Sequence, residues 1–176
     1  QVHDGWRVAG ATLAGERQMV AGSGSGGVDR IGGSGADRLL ATYRELGIDH
    51  PVTRDHLMGL HAEEHIRQST NARVRATVKA GGTPGPAASI GKVHQGRLNQ
   101  QLQLAACELS GMEAIAWEGD WLDDMPYATK GMIRSRANTI EGGTTEVNKN
   151  VLGEKVLGLP REPDPYRSVA WKETPR

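Results

Sequence analysis

The sequence predicts an all-α chain, an antiparallel up-and-down helix bundle with a short strand remnant at its N-terminus. Three observations lead there. Several stretches nearly free of Gly and Pro carry apolar residues at helical spacing. Gly and Pro gather between those stretches, where short links turn one helix back along the next. After the first ten residues, no segment is a convincing parallel strand.

The elements follow in order. Residues 1–10 read as the end of a strand, with Trp6 and Val8 as its apolar side chains. Helix signals run from residue 11 to Met19 and then meet the glycine-rich GSGSGGVDRIGGSG. Residues 36–47 read as a helix stopped by Gly47. Pro51 opens the next element, and from Val52 to Lys79 only Gly59 interrupts. At about 1.5 Å per residue this is a helix near ~40 Å long, with a weak stripe of Leu57, Met58, Leu60, Ile66, Val74 and Val78. GGTPGP at 81–86 is a loop by composition. Ala87 to Trp117 reads as one long helix, with Ile90, Val93, Leu98, Leu102, Ala105, Leu109 and Met112 near one face. Asp123, Asp124 and Pro126 are suitable starters for a short helix. After Pro160 the tail, residues 161–176, is expected to be extended.

Bulk properties narrow the function classes. A chain of 176 residues fits one domain with its own core. With 21 basic and 21 acidic side chains the formal charge is +0, and no block of like charge exists, which argues against nucleic acid as a partner. No apolar stretch approaches membrane-spanning length. Cys107 is the single cysteine, which excludes an internal disulfide and fits a reducing, cytoplasmic setting. There is no Phe and there are 24 glycines, so the core must rely on Leu, Val, Ala and Met. Trp117 and Trp121 are read as core or interface anchors rather than cofactor-facing aromatics. The start at Gln1, in the middle of a strand pattern, is read as that of a fragment of a longer chain.

The most informative stretch is Thr139 to Pro160, TIEGGTTEVNKNVLGEKVLGLP. It reads as a glycine turn feeding an amphipathic helix. Gly142 and Gly143 form the turn, and Thr144 and Thr145 are capping hydroxyls. Val147, Val151, Leu152, Val156 and Leu159 recur at helical spacing, and Gly158 and Pro160 stop the helix. Such a turn lets a backbone approach a bulky ligand, and the free N–H groups of a helix start attract phosphate. A carboxylate at Glu141 can face whatever binds there.

The order of these residues resembles the C-terminal signature of the acyl-CoA dehydrogenases, flavoenzymes that oxidise acyl thioesters. In one form of that signature Gly-Gly-Thr-Ser/Thr-Glu-Ile/Val precedes a helix ending Val-Leu-Gly-Leu-Pro, nearly as it stands here. The segment DGWRVAGATLAGER, Asp4 to Arg17, resembles the family's exit from its central β domain into the first helix of its C-terminal bundle. The resemblance covers about residues 4–163. It implies the end of a β domain at 1–10, a helical bundle domain at 11–160, and a chain that lacks the family's N-terminal and central domains. A chain so cut is expected to be inactive alone.

The resemblance also implies chemistry. Family members take a proton from the carbon next to the thioester and pass hydride from the following carbon to FAD, giving 2,3-enoyl-CoA. The base is a carboxylate in one of two places, and burial suits it to proton abstraction. On the first bundle helix that place is Glu16, the leading candidate; at the turn it is Gly142, with Glu141 one residue off as the second candidate. The resemblance further places Thr144 and Glu146 against FAD, with Gly142 and Gly143 making room, and Arg17 and Arg136 near the acyl-CoA substrate. The family's arginine-aromatic flavin motif is not recognisable here. An electron-transfer flavoprotein is the implied acceptor, and a homo- or hetero-oligomer the implied assembly. The competing class is a non-catalytic helical interaction module.

Two further motifs are weighed and set aside. Gly22-Ser-Gly-Ser-Gly-Gly27 satisfies G-x-G-x-x-G, and Asp49 follows about twenty residues on, but a dinucleotide fold needs a strand before it and more after. What precedes it reads as helix, so the glycines are read as a break or a close-packing point. His61-Ala-Glu-Glu-His65 satisfies H-x-x-E-H and puts two imidazoles on one helix face. No third ligand is flagged by spacing, and the resemblance implies no metal.

Overall fold

In the computed structural model the described residues are 5–12, 35–82, 88–121, 123–166 and 168–175. Residues 5–12 form a helix, α1, in place of the expected strand remnant. A strand must find a neighbour for its N–H and C=O groups, and none is present among the described residues, whereas a helix satisfies them within itself. Trp6 on this helix is 90% exposed, and the Thr12 hydroxyl donates to the Val8 carbonyl at 3.1 Å.

Helix α2, Ala36–Glu45, ends just before Gly47, as expected. Its N-cap is Gly35, which has no side chain to offer. The Glu64 carboxylate reaches over from the next helix instead, and the Ala36 N–H donates to it at 2.7 Å. Helix α3, Pro51–Lys79, has 29 residues and is about 44 Å long at 1.5 Å per residue. Pro51 sits in its first turn, where a missing N–H costs nothing, and the His50 ring caps it by accepting from the Thr53 N–H. Only Leu57 and Leu60 of its weak stripe are buried.

Helix α4, Ala88–Ser110, is the centre of the bundle and packs on α2, on α3 and on the C-terminal elements. It stops seven residues short of the expected end at Trp117. Gly111 takes φ 59°, the left-handed conformation that terminates helices, and a 3-10 turn at Gly111–Ala114 follows. Met112 therefore leaves the stripe and is 69% exposed. Leu98, Leu102, Ala105 and Ala106 of α4 join Leu39, Tyr43, Leu57 and Leu60 in one core. Leu98 is 1% exposed, and burial of each such leucine contributes about 1.5–3 kcal/mol.

Helix α5, Tyr127–Ser135, begins directly after Pro126. It is fastened by the buried Thr129 hydroxyl, which donates to the Ala114 carbonyl, and by Arg38 of α2 stacked 4.5 Å above the Tyr127 ring. A 3-10 turn, Arg136–Thr139, leads to the glycine turn and to α6, Thr145–Lys155. The apolar face expected on α6 is half-covered: the helix packs on α4 with Val151 and Leu152 half-buried, while Val147 is exposed, as are Val156 and Leu159 beyond its last residue, Lys155. Trp117 and Trp121 lie outside the core with their rings 5.6 Å apart, and Trp121 is 63% exposed. The tail carries a short 3-10 turn at Trp171–Glu173. The fold is the expected all-α bundle. No helix among the described residues is long and apolar enough to cross a membrane.

Candidate functional site at the diglycine turn

The turn is built by backbone geometry that only glycine adopts without strain. Gly142 has φ 65° and Gly143 has φ 91°. A Cβ on Gly143 would also stand 3.1 Å from the Asn148 amide nitrogen. That nitrogen donates to the carbonyls of Gly143 and Thr144, each at 2.9 Å, and so ties the turn to the helix it opens. The Thr144 hydroxyl is the N-cap, accepting from the Val147 N–H at 3.2 Å. The amides of Thr145 and Glu146 are first-turn donors with no acceptor inside the helix. The Glu146 carboxylate is exposed in that first turn, where a negative charge is favoured.

Glu141 enters the turn already engaged. Its two carboxylate oxygens accept from Arg134 Nη2 at 2.8 and 3.0 Å, and one of them accepts from the Asn138 amide at 3.3 Å. Asn138 is buried. Its side-chain oxygen accepts from Asn99 of α4 at 2.7 Å, and the Asn99 oxygen accepts from Gln103 at 2.9 Å. The Asn138 carbonyl accepts from Lys92 Nζ at 2.7 Å. Below it runs Gly96 of α4, so close that a Cβ there would meet that carbonyl oxygen at 3.1 Å. The 136–139 turn is thus clamped to α4 by Lys92, by Asn99, by Gln100, whose amide donates to the Thr139 hydroxyl at 3.3 Å, and by one bare helix position.

The other sequence candidates fall as follows. Glu16, Arg17 and the Gly22–Gly27 motif lie outside the described residues. Arg136 is exposed at the start of the 3-10 turn, and it is Arg134 that grips Glu141. Arg134, Asn138 and Asn99 were not singled out from the sequence. A signal for the first existed: seven residues is two helical turns, which returns Arg134 to the side from which Glu141 leaves.

The H-x-x-E-H segment joins helices. His61 Nδ1 meets Asp37 of α2 at 3.3 Å, Glu63 meets His94 of α4 at 3.1 Å, and Glu64 caps α2 while pairing with Arg67 at 3.5 Å. His65 lies edge-on to His61, with ring centroids 4.5 Å apart. Among the described residues no group of three or more His, Cys, Asp or Glu could hold a metal ion.

Beyond the geometry, residues 3–157 match the family model "Acyl-CoA dehydrogenase, C-terminal domain". The chain belongs to the acyl-CoA dehydrogenase family. It is 30% identical over 166 residues to the acyl-CoA dehydrogenase IpdE1 of Mycolicibacterium smegmatis, covering 92% of this chain and 38% of that protein. It is 29% identical over 160 residues to the acyl-CoA dehydrogenase FadE34 of Mycobacterium tuberculosis, covering 91% of this chain and 20% of that one. Among solved structures, the Tcur3481-Tcur3483 steroid ACAD superposes with a TM-score of 0.71 at 20% identity, over 92% of this chain and 41% of its own. That likeness establishes the fold. This acyl-CoA dehydrogenase domain spans well under half the length of each of these relatives.

Proposed function

We propose that the chain is the C-terminal helical domain of a flavin-dependent acyl-CoA dehydrogenase that oxidises acyl-CoA to 2,3-enoyl-CoA. The observation that carries this reading is the open diglycine turn at the head of α6. Its donor set fits a flavin nucleotide: two positive-φ glycines with no bulk of their own, a capped helix start, and first-turn amides without internal acceptors. Gly142, Gly143, Thr144 and Glu146 would hold FAD along one wall, the other walls coming from the longer relatives' additional domains. When bound, the flavin supplies the acceptor for hydride leaving the β-carbon.

The rest of the chemistry belongs to side chains. Glu16 takes the α-proton, the C–H electron pair moves into the new C=C bond, and Arg17 and Arg136 steady the thioester end. Glu141 is less suited to act as the base, because Arg134 and Asn138 already occupy its lone pairs. An electron-transfer flavoprotein would then reoxidise the cofactor. We place the reaction in the cytoplasm, in a homo- or hetero-oligomer. The steroid named for the structural neighbour makes bulky acyl groups the first substrates to test.

The test uses the longer protein that carries this domain. Flavin absorbance should copurify, and acyl-CoA should reduce a dye acceptor. Glu16→Gln should abolish turnover with flavin still bound; unchanged turnover rejects Glu16 as base. The exposed Val147, Val156, Leu157 and Leu159 favour a second reading, a helical module that only binds partners. Purified protein with no flavin and no turnover would select it.

A further inference from the structure

The geometry points to Glu141 as a positioning residue, one that locks the diglycine turn in its cofactor-ready shape by coupling it to the centre of the bundle; the cofactor part of this rests on the function proposed above. The coupling is a line of three buried or half-buried amides ending on a carboxylate. Gln103, 0% exposed, donates to Asn99, Asn99 donates to Asn138, and Asn138 donates to Glu141. Every donor points the same way, toward the negative charge. Amide dipoles aligned in this manner reinforce one another and strengthen the last hydrogen bond, the one to the carboxylate. From the other side Arg134 supplies a charge-assisted pair through Nη2, while its Nη1 is buried with no hydrogen-bond partner. The hold of Arg134 on the turn is therefore concentrated on Glu141.

The backbone consequence is direct. Glu141 is followed at once by the two positive-φ glycines, a residue type whose backbone has many conformations open to it in the unfolded chain. Upstream, the Glu141 N–H donates to the Ala137 carbonyl at 2.9 Å. Downstream, Asn148 closes the turn onto α6. The Glu141 side chain is a fastening between these two, and it reaches the buried amide line through Asn138. A carboxylate in this position selects one glycine conformation out of many before any ligand arrives.

The experiment compares Glu141→Gln and Arg134→Lys with the parent, in the longer protein that carries this domain. Amide hydrogen exchange at Gly142, Gly143 and Thr144 should quicken about two- to fivefold in Glu141→Gln, the loss of one partly exposed ion pair. Exchange in α3 should stay unchanged. Flavin affinity should fall by a similar factor, and turnover lost at limiting flavin should return as flavin is raised to saturation. Arg134→Lys, which keeps the charge and loses the planar Nη2 contact to both oxygens, should fall between. Unaltered exchange at the turn overturns the lock. Glu141→Gln that retains flavin and loses turnover overturns it too, and makes Glu141 the base. A parent protein without flavin refutes the function proposed above, and the exchange result then judges the lock by itself.

Discussion

The same substitution in two neighbouring helices should move stability in opposite directions. Gly96 lies in α4 and Gly59 in α3, and both are interior helix positions where Ala gains about 0.5–1 kcal/mol over Gly. At Gly59 a Cβ would meet nothing within 4 Å, so Gly59→Ala should keep that gain. At Gly96 the new Cβ would lie 3.1 Å from the Asn138 carbonyl oxygen and 3.3 Å from Thr139 Cγ2. The carbonyl cannot retreat cheaply, because Lys92 holds it and Asn99 holds its side chain. Overpacking of this kind costs about 1–3 kcal/mol, which leaves Gly96→Ala about 1 kcal/mol less stable. For a chain of this length, each kcal/mol shifts Tm by roughly 2–4 °C. Thermal and urea unfolding of the two variants measure both signs. If Gly96→Ala proves as stabilising as Gly59→Ala, the 136–139 turn is not clamped to α4 and the account of the site fails with it.

Three other outcomes are expected. Leu98→Ala empties the centre of the core and should cost about 2–5 kcal/mol in urea unfolding; a loss under about 1 kcal/mol would mean that Leu98 is not enclosed. Glu64→Gln removes the charge that caps α2 and pairs with Arg67, and should cost about 1–2 kcal/mol, with faster hydrogen exchange confined first to α2; uniform change would contradict that role. Burial, reinforced by the Glu108 carboxylate, pushes the Cys107 thiol up. The folded state thus keeps its proton to higher pH than the unfolded chain, and this contribution to stability is complete below the ordinary thiol pKa of about 8.5 and declines as pH rises past it. Iodoacetamide at pH 8.5 should modify Cys107 more slowly in the folded than in the urea-unfolded protein, and equal rates would refute this.

What the sequence revealed was whatever local backbone rules decide. Pro51 opens α3, Gly47 follows the end of α2, and Thr144 caps α6 behind two positive-φ glycines, each as read from residue type alone. Gly111 was equally visible, yet the apolar stripe through Met112 masked it, because periodicity continues across a residue that ends a helix. The stripe on α6 told which side is apolar and could not tell whether anything covers it. The α1 helix shows the reverse failure, a strand pattern with no partner strand among the described residues. The Asn99–Asn138–Glu141 line was illegible for a simple reason: Asn99 and Asn138 are 39 residues apart, and nothing in an isolated asparagine announces which distant amide it will meet.

The His61–His65 segment has a consequence for anyone who scans sequences for peptidases. Substituting Glu64 would lower the folded fraction and diminish every activity of the protein, much as removal of a metal would. Here the damage would come from releasing the first helix of the core. Added zinc would restore nothing, whereas a second mutation that lends α2 its own N-cap, such as Gly35→Ser, would.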